Sequence, residues 1–246
     1  MQRLAIAGAL LTLWAILAKG INPLFVPSPQ MVADGVISLF STGQLLAGII
    51  YSLKRVVTAS VISCVLSLIL GILSYSFKPI RAAFYPAIKA MRYIPVTAFY
   101  PLLIMWCGIE EQMKITFLTL VTFVSMMPAV MVALSDVNPD LIDTGKTLGM
   151  NRYQIIRLVI LPDSLPSIFE NFSLLIAIGW TYVPFVETIN AKYGLGYIIH
   201  QSSSRGRTDL VFAALAMIMI ISVLCDKGTD FICRRLFKWR YLRKND

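Results

Sequence analysis

Residues 56–76 read VVTASVISCVLSLILGILSYS, a run of 21 residues without a charged side chain. A helix that crosses the hydrocarbon core of a bilayer needs about 20 mostly apolar residues. Lipid offers no hydrogen-bond partner, so the backbone amides of such a segment must bond within the segment, as they do in an α-helix. The run therefore predicts a transmembrane helix, and it sets the interpretation of the whole chain.

The composition agrees with this prediction. The 246-residue chain is 57% hydrophobic and only 14% charged, and its mean hydropathy is +0.74. A soluble domain has about 25% charged residues. The formal charge of +9 comes from bases that lie between and after apolar runs, which favours anionic lipid over nucleic acid as the partner.

The sequence predicts neither catalytic residues nor a metal site. His200 is the only histidine, and the cysteines have no metal-ligand spacing and lie mostly in apolar runs. We interpret the cysteines as small buried apolar side chains. They are Cys64, Cys107, Cys225 and Cys233.

Six segments are candidates for membrane spans. They cover residues 4–18, 56–76, 93–109, 115–135, 168–188 and 209–226. No small-residue cleavage site follows the first segment at 19–23, so we interpret it as a retained helix rather than a signal peptide. We predict an all-α integral membrane protein with about six transmembrane helices in a single domain, 1–246.

The distribution of Lys and Arg predicts the orientation. With six spans and the N-terminus inside, roughly two-thirds of the 22 bases lie in the inner segments, including a basic tail from Lys227 to Lys244. We therefore expect a multi-pass inner-membrane protein with both termini in the cytoplasm.

The long loop at 19–55 contains a candidate helix start. Ser28 can act as the N-cap and Pro29 as the first helical residue. This favours a short helix at the outer interface. An irregular external loop is the alternative.

The inner loop at 136–166 has the strongest local signals. Asn138 and Pro139 can begin a helix, and Gly149 can end it in a left-handed conformation. Asn151 can then cap a second helix, with Gln154 completing a capping box, and this second helix is expected to end at Pro162. Two short helices joined at a glycine predict a docking element for a cytoplasmic partner.

That loop resembles the EAA loop of ABC-importer permeases. The segments 143–149 (DTGKTLG) and 159–162 (VILP) follow the family pattern, with nine residues between them. Asp143 stands where the family has Glu, and Thr144 and Gly145 stand where it has two alanines. The resemblance implies ATPase-coupling residues, which we take as Asp143, Thr144, Gly145, Leu148, Gly149, Leu161 and Pro162.

Three further segments resemble the nitrate, sulfonate, taurine and bicarbonate branch of that family. They are VPSP at 26–29, the two-proline segment at 94–109, and YGLGY at 193–197 with Trp180 and Glu187 before it. Their order along the chain matches the branch. The resemblance therefore extends over most of the chain and implies the type I ABC importer permease fold.

The resemblance also implies partners. A second permease copy, as a homodimer or half of a heterodimer, a cytoplasmic ATPase dimer and an extracytoplasmic solute-binding protein would complete the importer in a bacterial inner membrane. The chain has no GxxxxGK[ST] phosphate loop. It is thus a transport subunit rather than an enzyme, and ATP and Mg would bind to the ATPase. The implied solute is a sulfonate, nitrate, taurine, bicarbonate or a vitamin precursor.

Four residues are candidates for the translocation path or its gate: Tyr100, Pro101, Trp180 and Glu187. A carboxylate near the outer end of a span faces a cavity or a partner. For Glu187 a role in the path and a structural hydrogen bond both stay open. For the aromatic residues, packing between helices is the alternative.

The competing hypothesis is an ion-coupled secondary carrier, or another polytopic protein that works without an ATPase. A carrier would carry internal repeats and several ionisable groups within its spans. The sequence shows no repeat, and Glu187 is nearly alone.

Overall fold

A computed structural model describes the backbone of residues 2–91 and 93–239, and the side chains of all of these except 2–7 and 10. Arg92 and the bases at 240–244, which contribute to the predicted charge asymmetry, lie outside this range. The α-helices of the described residues are α1 (Gln2–Gly20), α2 (Pro29–Ser41), α3 (Gln44–Ser76), α4 (Lys78–Met91), α5 (Tyr100–Cys107), α6 (Glu111–Ser135), α7 (Pro139–Thr147), α8 (Arg152–Ile155), α9 (Leu161–Val186), α10 (Leu195–Ser204) and α11 (Thr208–Leu236).

Each of the six predicted segments lies on helical structure. Four helices are long and apolar enough to cross a membrane: Gln44–Ser76, Glu111–Ser135, Arg152–Val186 and Thr208–Leu236. The bent pair Lys78–Met91 and Val96–Cys107 would make a fifth span, and α1 contributes a shorter apolar stretch, Leu11–Gly20. The all-helical fold class is confirmed for the described residues.

The helix that carries the second predicted span begins earlier than the predicted bound of residue 56, because α3 begins at Gln44. The bases Lys54 and Arg55 interrupt the hydropathy profile, but Arg55 is buried and its charge is paired, so the helix continues through them. At about 1.5 Å per residue, α3 is about 50 Å long. The predicted loop at 19–55 is correspondingly short, and only Thr42 and Gly43 separate α2 from α3.

The short helix predicted after Ser28 is confirmed. Ser28 is the N-cap of α2, its Oγ accepts a hydrogen bond from the Met31 N–H at 3.3 Å, and Pro29 is the first helical residue. Its proposed place at the outer interface stays a prediction.

The third predicted segment, 93–109, is not one uniform helix. A 3₁₀ turn covers Val96–Phe99, and α5 follows with Pro101 in its first turn. The N–H groups of the first helical residues have no partner within the helix, so proline is tolerated there, and Pro101 lies in the first turn of α5 without kinking it. Pro128, by contrast, lies inside α6, and Pro86 lies inside α4.

The second helix of the inner loop does not end at Pro162 as predicted. From Arg152 the helix continues through a π-helical turn at Ile156–Ile160 into α9 and runs to Val186. Pro162 has no N–H to donate to the preceding turn, and the wider π turn lies just before it. The fifth span is thus continuous with the inner loop instead of starting at residue 168.

The chain forms two compact units. Among the described residues, the first unit falls within 1–55 and 180–221, and the second falls within 56–179 and 222–246. In the second unit, α6 contributes Met126, Val130 and Leu134 to an apolar core that also contains Ile155, Ile160, Ile168 and Leu175. In the first unit, Leu195 and Ile198 of α10 are buried, as are Leu39 of α2 and Leu45 of α3.

The second-unit part of α3 buries its small side chains and exposes its large ones. Ser60, Ser63 and Ser67 are fully buried, whereas Val61 and Val65 are about half exposed. Small residues let membrane helices approach closely, and large apolar residues face lipid. Gly71 shows how close the approach is, because a Cβ at this position would lie 2.6 Å from Val130 Cγ1 of α6.

Candidate functional site

The sequence predicts α7 from its caps, and the structure confirms both ends. Asn138 is the N-cap, and its Oδ1 accepts the Asp140 N–H at 2.9 Å. At the other end, the Met150 N–H donates to the Gly145 carbonyl at 3.0 Å and the Gly149 N–H donates to the Lys146 carbonyl at 2.9 Å. This is a Schellman motif, and it requires the positive φ of +76° that Gly149 adopts.

The capping box of the second helix is also confirmed. Asn151 Oδ1 accepts the Gln154 N–H at 2.9 Å, while Gln154 Oε1 accepts the Asn151 N–H at 2.8 Å. Two donors that the helix start would leave unpaired are satisfied reciprocally. Residues 149–151 therefore form a fixed corner between α7 and α8.

Gly145 is the point where α7 contacts the following helix. It is buried, and a Cβ there would lie 3.4 Å from Met150 Sδ, 3.6 Å from Ile155 Cγ1 and 3.7 Å from Val159 Cγ2. Ile155 belongs to the apolar core that contains α6 residues. The inner face of α7 is thus joined through one layer of side chains to a membrane-spanning helix.

The outer face of α7 is open. Asp143 and Lys146 form an exposed ion pair at 2.8 Å, and Leu148 is 71% exposed. A cavity of about 360 Å³ lies beside α7; its lining includes Thr144, Gly145, Leu148, Pro162 and Trp239. The structure therefore brings most of the predicted coupling residues onto one surface, while Leu161 is half-buried in the first turn of α9. Trp239 is an addition that no sequence pattern predicts.

The predicted path residues divide between the two units. In the second unit, Tyr100 is buried and meets Phe117 edge to face at 5.3 Å, while Pro101 is exposed. In the first unit, Trp180 and Glu187 are buried. Their assignment to a path or gate stays a prediction.

Glu187 is the centre of a buried polar cluster in the first unit. Arg55 Nη1 donates to Glu187 Oε1 at 2.6 Å, and Ser52 Oγ–H donates to the same carboxylate at 2.8 Å. The Gly196 N–H donates to Oε2 at 2.8 Å, and Arg55 Nη1 also donates to the Tyr193 carbonyl at 2.9 Å. Such complete pairing is what a buried charge requires.

The glycines of the 193–197 segment make room for this carboxylate. Gly194 has φ +148°, and Glu187 occupies the space where its Cβ would be. A Cβ on Gly196 would lie 2.8 Å from the Val183 carbonyl oxygen. The Gly-Leu-Gly sequence thus folds around Glu187, and the structural hydrogen-bonding role is the one that these contacts support.

Sequence reasoning missed Ser52 and Arg55 as the partners of Glu187. Both precede the apolar run that identifies the second span, and the predicted topology places Arg55 in an external loop. The signal that could have found them is the apolar spacing of Leu45, Ile49 and Leu53, which continues the helical period upstream of residue 56.

Comparison with known proteins places the chain among transport permeases. Residues 63–238 match the family model described as "Binding-protein-dependent transport system inner membrane component". The taurine transport system permease protein TauC of Escherichia coli K12 is 30% identical over 94% of this chain and 86% of its own length. The putative aliphatic sulfonates transport permease protein SsuC of Bacillus subtilis 168 is 25% identical over 98% and 88%.

A solved structure shows the same fold. The membrane chain of the MetNI methionine ABC transporter, in an inward-facing conformation, superposes with a TM-score of 0.69 at 23% identity, over 79% of this chain and 97% of that one. The match covers nearly the whole of the solved chain and confirms the type I importer permease fold. The family match, rather than this fold likeness, decides for a permease over an ion-coupled carrier. This chain belongs to the family of binding-protein-dependent transport system inner membrane components, the permease subunits of ABC importers.

Proposed function

We propose that α7 is the coupling helix through which a separate cytoplasmic ATPase drives this permease. The observation that carries the proposal is the construction of α7: it is capped at both ends, open on one face and joined on the other to the apolar core of the second unit. Because its ends are capped and its inner face packs against the core, α7 is expected to move as a rigid body when a bound ATPase changes conformation. The ATPase subunits would hold the ATP and Mg, since this chain has no phosphate loop.

The surface around α7 suits a protein partner. Leu148, Tyr153 and Leu158 are 71%, 67% and 58% exposed. Leu148 and Leu158 line the same cavity, and exposed apolar side chains that lie together mark an interaction site. The exposed Asp143–Lys146 pair would lie at the polar edge of such a contact.

The long helix from Arg152 to Val186 supports a route for the motion. It begins beside α7 and continues as a membrane span without a break. Nucleotide binding in the ATPase pair and a loaded solute-binding protein would each favour one of two permease conformations, which is the thermodynamic basis of coupling.

The solute we propose is a small organosulfonate such as taurine. The support is that relatives matched over most of this chain are named for taurine and aliphatic sulfonates. A second copy of the chain would complete the path, with α7 and both termini on the cytoplasmic side and an extracytoplasmic solute-binding protein on the other.

The test is the variant Leu148→Glu. The side chain is exposed, so the fold is expected to stay intact, while a charge in an apolar contact weakens docking. We expect at least tenfold less ATPase recovered with the tagged permease from membranes that contain both, and an equal loss of ATP-dependent uptake of labelled taurine.

Leu24→Glu is the matched control, because Leu24 is 52% exposed in the connection between α1 and α2 and does not line the cavity beside α7. The control variant should keep normal recovery of the ATPase and normal ATP-dependent uptake of taurine. Normal ATPase recovery with Leu148→Glu would overturn the role of α7. Failure of the wild type to take up taurine while it transports another solute would overturn only the substrate.

A further inference from the structure

We propose that a cavity next to the coupling helix binds an amphiphilic oxyanion, a phosphate or sulfonate group attached to an apolar body. The cavity, which we call the basic cavity, lies in the second unit between the end of α3, the start of α4, α7 and α8. Its volume is about 480 Å³, within the range of small-molecule sites. Its lining residues are Ser74, Tyr75, Lys78, Arg81, Ile142, Lys146, Arg152, Ile155, Ile156 and Ile160.

The charge of the basic cavity is the first reason for an anion. Among the described residues the structure gives neither Lys78 nor Arg81 an acidic partner. Asp143 offsets the charge of Lys146, whereas Arg152 donates to the uncharged Ser76 carbonyl, so the charges of Lys78, Arg81 and Arg152 remain. The lining itself contains four bases and no acid, and the cavity therefore keeps a net positive charge.

Ser74 adds a hydroxyl to the basic lining, and it is the one of the four unpartnered α3 serines in the described part of the chain that lines this cavity. Its side chain is 1% exposed and lines the cavity, and its Oγ has no hydrogen-bond partner in the part of the chain that the structure describes. A buried hydroxyl without a partner is costly. A bound oxyanion would accept a hydrogen bond from it.

The start of α4 adds to the attraction. Lys78 is the first residue of this 14-residue helix, whose N-terminal end carries a positive partial charge. Arg81 lies one turn further along the same helix, and its guanidinium can bind an oxyanion with two parallel hydrogen bonds. The anion site is therefore expected between Ser74 and the first turn of α4.

The remaining lining selects the rest of the ligand. Ile142, Ile155, Ile156 and Ile160 form apolar walls together with the Tyr75 ring. A free inorganic ion would leave this surface unused. Two sources present the right chemistry: an anionic phospholipid of the inner leaflet, and a free alkyl phosphate or alkylsulfonate. The proposal depends on the cavity alone, and it stands or falls separately from the role of α7 in coupling.

The experiment uses the full-length chain in nanodiscs. The probes are butyl phosphate and butanesulfonate, titrated calorimetrically in discs of neutral phosphatidylcholine and again in discs containing phosphatidylglycerol. Binding in neutral discs that phosphatidylglycerol suppresses identifies the lipid as the natural source. Binding that phosphatidylglycerol leaves unchanged identifies the soluble anion. Both outcomes support the site.

Variants locate the binding. Lys78→Gln with Arg81→Gln removes two bases of the lining and is expected to weaken binding about tenfold or more. Ser74→Ala keeps the packing around this position and is expected to weaken binding of the probes several-fold. Lys89→Gln with Arg157→Gln is the matched control, because both bases are exposed and neither lines the cavity.

The proposal is overturned if the wild type binds neither probe in either disc, or if Lys78→Gln with Arg81→Gln binds as tightly as the control. Ser74→Ala provides the test if the double variant does not fold. In that case unchanged affinity of Ser74→Ala overturns the proposal.

Discussion

The role of Glu187 depends on the residues that surround it more than on the chemistry of a carboxylate alone. Glu187 is a carboxylate that the sequence marks as a candidate for the gate, yet its oxygens receive hydrogen bonds from Arg55, Ser52 and the Gly196 amide. Because Arg55 is 2% exposed and Glu187 is fully buried, water cannot replace either partner. The cluster holds α3, the end of α9 and the start of α10 together in the first unit.

Removing one partner of the Arg55–Glu187 ion pair is expected to lower the free energy of unfolding more than removing both. Arg55→Met leaves the Glu187 charge buried and unpaired, a change that costs about 3–5 kcal/mol. The double variant Arg55→Met with Glu187→Met leaves no charge, so it should recover a large part of the loss. Thermal unfolding of the detergent-purified protein is measured for the wild type, both single variants and the double variant. The four values give the coupling free energy between Arg55 and Glu187.

Lys192→Met is the control for charge removal, since Lys192 is exposed in the connection between α9 and α10. It should unfold as the wild type does. Additive effects of the two single variants would show that the ion pair does not hold the first unit together.

Among the helices, α7 is specified almost completely by local sequence. The Asn138 cap, the Gly149 turn and the Asn151–Gln154 capping box each need only residues within three or four positions. The following helix is different. Its continuation through the π turn past Pro162 depends on Ile155, Ile160 and Ile168 reaching the same core as α6, and no local rule for proline would predict it.

The two glycines of the loop are expected to respond in opposite directions. Gly149→Ala places a side chain at φ +76° and should destabilise the end of α7 by about 1 kcal/mol. Gly145→Ala adds a methyl group at ordinary contact distance inside a helix, and should stabilise α7 by about 0.5–1 kcal/mol.

Hydrogen exchange of the α7 amides measures both changes, because it reports local opening. The amides of α2 in the same samples serve as the internal control. Slower exchange in Gly149→Ala would contradict the left-handed turn at Gly149, and faster exchange in Gly145→Ala would contradict the contact distances around Gly145.

The surface of the molecule as a whole explains its composition. Val57, Val61 and Val65 of α3 are between about 40% and 50% exposed, and Met219, Val223 and Leu224 of α11 are between 47% and 64% exposed. In water these surfaces would favour aggregation. In a multi-pass membrane protein such surfaces face lipid, and this is why the chain needs so few charges.

The charge distribution predicts which side of the membrane α7 occupies. In a cysteine-free background, Thr147→Cys is expected to react with a membrane-impermeant maleimide only after permeabilisation of spheroplasts. Ser204→Cys, exposed at the end of α10, should react in intact spheroplasts. Labelling of Thr147→Cys from outside would reverse the orientation and remove α7 from the reach of any cytoplasmic ATPase.

The membrane class, the approximate place of the spans and the two capped ends of α7 all follow from the amino-acid sequence, because hydropathy and capping act over one span or one turn. The contacts of Glu187 and the accommodation of Pro162 do not follow from it. Those outcomes depend on residues more than a hundred positions apart, such as Arg55 and Glu187, or on a shared core. The free energy of burying a charge or a proline is set by the partners that the tertiary structure brings to it.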